Sequence, residues 1–339
     1  MRPGWPFMRG SMTSIRGAWI TASAVVVFLV GSFLVVQAAL QRFPFGPGGD
    51  PTAFRIAVVH CVLVAYLVGA YLFVQAGARE AILALYAQLD HSEPGLKAEH
   101  DRVGEYSRGV LIALAVAGML ISSAGPYLTG PNDMPYSRPD LWSAEVAWHR
   151  VLGLGIGWGI NWIGLAVVME SLRLSRLAGS LKAISLWDAR PLAPFTRQGL
   201  RNALVAVGLV SVFALFVPEQ GVTNAFLLIL AVSSTLALLG LLLPLQGVHR
   251  AIRAAKQQEL DWTALAIQEE RARFQQQASS SGRLADVVAY RASVEQVRDW
   301  PFDQSSVLRF VLYLLVPIAS WLISNVAAEL LEQIVFSGR

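Results

Sequence analysis

Apolar positions along this chain gather into seven long runs, over residues 18–40, 54–76, 109–129, 146–169, 202–217, 224–246 and 306–335, separated by polar stretches. A helix needs about 20 apolar residues to cover roughly 30 Å of hydrocarbon, so these runs predict seven membrane spans. The fold class expected is all-α: a polytopic α-helical membrane protein of about seven spans. Residues 1–246 are read as a six-span membrane domain, 247–305 as a cytoplasmic helical hairpin, and 306–339 as a final span with a short outer tail.

The polar stretches orient the spans. When the runs are threaded alternately through a bilayer, 22 of the 27 Lys and Arg residues fall on one side, and only Arg42, Arg55, Arg138, Arg150 and Arg339 fall on the other. Basic loops stay in the cytoplasm, which places the N-terminus inside and the C-terminus outside. The composition agrees, with 55% hydrophobic and 15% charged residues and a mean hydropathy of +0.50. A pI near 9.4 then reports the positive-inside pattern and not a nucleic-acid partner. The run at 18–40 is too long for a signal peptide, whose apolar core spans about 7–15 residues, and is read as retained. The single Cys61 excludes an intrachain disulfide and any CxxC motif. No cofactor motif and no catalytic constellation stands out, so no cofactor and no enzyme activity are expected.

The longest polar stretch lies between the sixth and seventh runs. From His249 to Gln277 it holds no Pro or Gly, and Ala, Gln, Glu and Arg dominate, which favours helix. Span six is therefore expected to continue into the cytoplasm as a rod of about 40 Å at 1.5 Å per residue. A polar break over Gln275 to Gly282 and a second helix over Arg283 to Arg298 would complete a hairpin.

Several groups qualify as candidate sites. On span seven, Arg309, Tyr313, Ser320 and Ser324 fall on one stripe around Pro317, while Asn325, Glu329 and Glu332 gather near the outer end. In an oligomer these carboxylates could ring a cation pathway; the same residues could equally seal helix packing or sit in the interface. Span four carries Gly153, Gly155, Gly157 and Gly159, whose spacing by four suits close helix contact. The same run could instead unwind and offer carbonyls, with Asn161, to an ion. His60 and His149 both belong toward the outer leaflet, with Glu145 one turn from His149, which makes the three a weak metal or proton site; structural histidines are the plainer account. In the first cytoplasmic segment Glu99, His100, Asp101 and Glu105 cluster without a recognised metal-ligand spacing. Arg173, Arg176 and Lys182, just after span four, suit anionic lipid head groups.

The tract Trp300-Pro301-Phe302-Asp303, followed by Leu308-Arg309-Phe310, Tyr313-Leu314-Leu315, Pro317, Trp321 and Glu329, resembles a C-terminal signature of uncharacterised bacterial polytopic inner-membrane proteins. In layout alone, the chain is similar to the tetrameric seven-span chemoreceptor channels of insects, in which the seventh span lines the pore. Two functions are expected to compete. One is an oligomeric ion channel or transporter with span seven near the pathway. The other is a non-transporting scaffold or signalling component whose hairpin docks a cytoplasmic protein. The expected setting is multi-pass in the cell membrane, a bacterial inner membrane, with the lipid bilayer and further copies of the chain as partners.

Overall fold

Each apolar run is carried by a helix, and polar caps mark where two of the helices begin. The computed structural model describes residues 14–41, 51–90, 93–129, 143–182, 184–216, 224–276, 283–301 and 304–336. The helices are α1 (Ile15–Ala39), α2 (Pro51–Ala84), the short α3 (Glu93–Asp101), α4 (Arg108–Thr129), α5 (Ala144–Leu177), α6 (Ala193–Phe213), α7 (Asn224–Gln276), α8 (Arg283–Glu295) and α9 (Gln304–Phe336). Ser14 Oγ accepts from the N–H of Gly17 at 3.0 Å, and Ser143 Oγ accepts from that of Val146 at 3.3 Å. Both satisfy N–H groups that a helix start leaves open.

Among the described residues, four stretches are long and apolar enough to cross a membrane: Ile15–Ala39, Ala53–Ala84, Ala144–Ser180 and Leu227–Arg273. Shorter apolar helical stretches lie at Arg108–Ala124 and Leu308–Pro317. The expected cytoplasmic rod is α7 itself, one helix that runs on from the sixth apolar run through Pro244 to Gln276. The second arm of the hairpin is α8, which ends at Glu295, earlier than the Arg298 expected.

At the centre, α2, α5, α7 and α6 form a ring in which each helix packs on the next. Outside the ring, α1 lies on α2, α4 on α5, and α9 on α6, while α8 folds back on α7. The ring is filled by side chains such as Leu63, Val74, Ile163, Val167, Phe195 and Leu245.

One polar knot joins all four central helices. Gln198 on α6 donates to the Val74 carbonyl of α2 (3.3 Å) and to Asn202 Oδ1 (2.8 Å). Asn202 in turn donates to Ser171 Oγ of α5 (2.9 Å) and lies 3.5 Å from the Gly240 carbonyl of α7. Gln198, Asn202 and Ser171 are fully buried. Lipid offers such groups no partners, so the helices must supply them to one another.

Next to Ser171, a second fixture ties the loop between α3 and α4 to α5. Glu170 has no exposed surface. Its Oε1 accepts from the N–H of Gly104 (3.1 Å) and the Tyr106 hydroxyl (3.0 Å), and its Oε2 from Arg173 Nε (2.9 Å). A buried carboxylate is costly unless paired and hydrogen-bonded, and here both oxygens are engaged. Gly104 has φ +83, and a Cβ there would also meet the Gln75 amide at 2.6 Å, so the loop needs glycine at this point. Nearby, the loops after α2 and α5 are joined by a single antiparallel bridge between Leu89 and Leu181.

Close helix contact at the glycine run is realised at particular positions. A Cβ on Gly157 would strike the Gly118 carbonyl of α4, and one on Gly159 would come within 3.0 Å of Leu67 of α2. Gly153 accepts a hydrogen bond from Ser122 through its carbonyl at 2.6 Å. Gly155 departs from the expected packing role, because a Cβ there meets nothing within 4 Å. Gly157→Ala should therefore lower thermal stability in detergent by about 1–3 kcal/mol through overpacking, whereas Gly155→Ala should leave it unchanged or raise it by up to about 1 kcal/mol through helix propensity; parallel melting curves of the two variants check this.

Burial first, and the neighbouring Glu170 carboxylate second, push the Tyr106 hydroxyl well above its ordinary range. A group raised on folding stabilises fully below its unfolded pKa, near 10, and loses that contribution as pH rises further. Melting temperature measured against pH should fall above about 10, and Tyr106→Phe should show a shallower fall from a lower starting stability.

Candidate functional site

The residues singled out on span seven divide by location. Ser320 is half-buried on α9. Ser324, Asn325, Glu329 and Glu332 lie along the same helix, with side chains outside the described set. Near its inner end α9 packs Phe310 and Tyr313 against the core. It leaves Leu308, Val311, Leu312, Leu315, Ile323 and Val326 exposed.

The glycine run does not open into an ion site. α5 is unbroken from Ala144 to Leu177, and the Asn161 amide donates to the Gly157 carbonyl of its own helix at 2.9 Å. Continuous helix keeps those carbonyls occupied, so the unwound arrangement expected as an alternative is not adopted.

His60 and His149 do meet, edge to face, with ring centroids 4.8 Å apart. His60 Nδ1 lies 2.9 Å from the Ile56 carbonyl, and His149 packs against Phe33 and Trp148. On α3, Glu99 pairs with Arg102 (2.9 Å) and Arg173 (3.1 Å), and His100 faces Asp101 at 3.4 Å. Guanidinium groups answer the acid of that cluster at Glu99. Among the described residues no three His, Cys, Asp or Glu side chains are grouped to hold a metal, Glu145 beside His149 included.

The chemistry gathers elsewhere, at the end of the bundle where α8 folds back on α7. A cavity of about 720 Å³ lies between the loop leading into α6, the first turns of α6 and α9, and the chain leaving α8. Its walls include Arg190, Arg197, Arg298 and Arg309, the indoles of Trp187 and Trp300, and the hydroxyls of Ser185, Thr196, Ser293, Ser305 and Ser306. No carboxylate occurs among its described lining residues.

Two of the four arginines are partly answered by acids outside the cavity. Arg190 Nε lies 2.8 Å from Asp188 Oδ1, and hydrogen bonds from Arg190 hold that carboxyl below its usual range. Arg197 approaches Glu80 Oε1 at 3.6 Å, while Arg201 takes its other oxygen at 2.7 Å. Arg298 and Arg309 make no ion pair among the described residues.

A clamp on α7 sets this geometry. Lys256 donates to the carbonyls of Glu295 (3.0 Å) and Val297 (2.9 Å) and to Asp299 Oδ1 (3.2 Å). An ammonium there satisfies the open carbonyls at the end of α8 and neutralises its dipole. One turn pair earlier on α7, His249 stacks on Trp300 with centroids 4.3 Å apart, and its Nδ1 lies 2.9 Å from the Asp299 carbonyl. Thr196 of α6 reaches the Pro301 carbonyl at 3.4 Å. Farther out the hairpin closes through Tyr290, whose hydroxyl donates to Glu259 at 3.1 Å and whose ring meets Trp262 and Trp187.

No family model matches the chain, and no curated protein or solved structure matches it either. The arrangement itself favours an anion. The first turns of α6 and α9 turn the positive ends of two helix dipoles toward the cavity, while Lys256 cancels the negative end of the third. Arg309 stood out in sequence only as part of the polar stripe on span seven, and Arg190, Arg197 and Arg298 only as basic residues of the expected cytoplasmic segments. The closest signal was Arg298 and Arg309 flanking the Trp300-Pro301 tract.

Lys256→Met should detach the end of α8 at a cost of about 1–2 kcal/mol. Hydrogen exchange followed by mass spectrometry should find faster exchange over residues 283–300 and unchanged protection in the membrane helices.

Proposed function

We propose that the protein is a non-transporting membrane component, a sensor or scaffold, that receives an anionic ligand at its cytoplasmic boundary and presents the hairpin of α7 and α8 to a cytoplasmic partner. The observation that carries this reading is the arginine-walled cavity, whose lining is shared between the hairpin and the membrane helices α6 and α9. A ligand there would touch both at once, so its occupancy would bias how firmly the hairpin is held. The packed centre of the bundle, knotted by Gln198 and Asn202, supports the same reading, since a solute path through it would have to separate those side chains.

The expected topology belongs to this proposal: seven spans, N-terminus inside, C-terminus outside, in a bacterial inner membrane, with the cavity level with the inner leaflet. A second reading keeps a specific observation on its side. α9 packs on α6 and leaves much of its apolar surface exposed, as a helix facing a neighbouring subunit or a shared pore would. In a homo-oligomer that reading makes the protein a channel, with Asn325, Glu329 and Glu332 toward the outer mouth.

Planar bilayers separate the two. Purified protein should give no reproducible conductance, and Glu329→Gln should make no difference. A reproducible conductance whose ion selectivity changes in Glu329→Gln would replace the sensor reading with the channel.

A further inference from the structure

Resting on the anion-receiving role, we propose that the ligand is the phosphate of an anionic phospholipid drawn from the inner leaflet, held between Arg298 and Arg309 with its acyl chains along α9.

The argument starts from charge. Arg298 and Arg309 are both exposed and face a common cavity with no described carboxylate on its walls. Two guanidinium groups facing one cavity repel one another, and a phosphate is the group their planar donors fit best.

Depth points to lipid. Arg309 lies in the second turn of α9, and Leu308, Val311 and Leu312 around it are exposed. The guanidinium is therefore at the height where apolar helix surface begins. Trp187 and Trp300 are exposed on the same rim, at 59% and 38%, and indoles with one polar edge settle at the headgroup level. A soluble anion would gain from the arginines alone. A phospholipid would gain from the arginines, the indole rim and the apolar flank of α9 together. The volume of about 720 Å³ exceeds what a bare phosphate fills and suits a glycerophosphate headgroup.

The test uses the full chain in nanodiscs of phosphatidylcholine alone, in nanodiscs containing phosphatidylglycerol, and in phosphatidylcholine nanodiscs with inorganic phosphate added. Native mass spectrometry reads retained lipid, and protease resistance reads the hairpin. Phosphatidylglycerol should be retained and should protect the hairpin. The double variant Arg298→Gln, Arg309→Gln should lose about tenfold or more of that binding, while Arg253→Gln, on an exposed part of α7, should lose little. Melting curves of each variant confirm that it is folded. If inorganic phosphate protects the hairpin as well as phosphatidylglycerol does, the ligand is a soluble phosphate: the lipid inference is overturned and the anion-receiving role stands. If neither binds, or the double variant retains phosphatidylglycerol like the wild type, the cavity is not an anion site and both fall.

Discussion

The hydrogen-bonded knot of Gln198, Asn202 and Ser171 is the constraint on which the bundle depends. Apolar side chains gain little from packing against each other in lipid that is equally apolar, so they do not by themselves specify which helix meets which. Buried amides do. Gln198 reaches α2 through the Val74 carbonyl, and Asn202 reaches α5 through Ser171 and approaches α7 at Gly240. Moving any one helix by a turn would strand a polar group without water. The same register brings Gly247 of α7 against the Ser175 backbone of α5, a contact that a Cβ on Gly247 would prevent.

Order passes from this knot toward the end of the bundle that carries the hairpin. Ser171 follows Glu170 directly on α5, so fixing one fixes the other, and Glu170 holds the loop at Gly104 and Tyr106. On α7, a register set at Gly240 also sets His249 and Lys256 farther along the same continuous helix. Those two residues grip Asp299, Trp300 and the end of α8. The cavity is thus a consequence of helix register: Arg298 and Arg309 face it because the chain between them is pinned on one side by α7 and on the other by Thr196 of α6.

Elements set by periodicity and hydrophobicity were legible in the sequence, and contacts between distant positions were not. The helices on the apolar runs, the extension of α7 and the return of α8 follow from composition that lipid and helix propensity both constrain. The Gly157 contact was legible because spacing by four is local, yet nothing local separates Gly157 from Gly155, whose difference lies in which neighbour each face meets. The contact of His60 with His149 joins α2 to α5 and could be known only once their register was fixed. Glu170 gave no signal, since a single acid near a span end reads as an interfacial charge. The arginine wall was hidden for the same reason: a basic residue in a segment expected inside obeys the topology rule whether or not it also faces a ligand.

The account turns on whether a phosphate occupies the space between Arg298 and Arg309. A density map of the protein in nanodiscs containing phosphatidylglycerol tests it most directly. The account predicts a compact headgroup density bridging the two guanidinium groups, with acyl density running along α9 and the hairpin held by Lys256. A map in which those arginines turn away to solvent, or in which a protein segment fills the cavity, would contradict it.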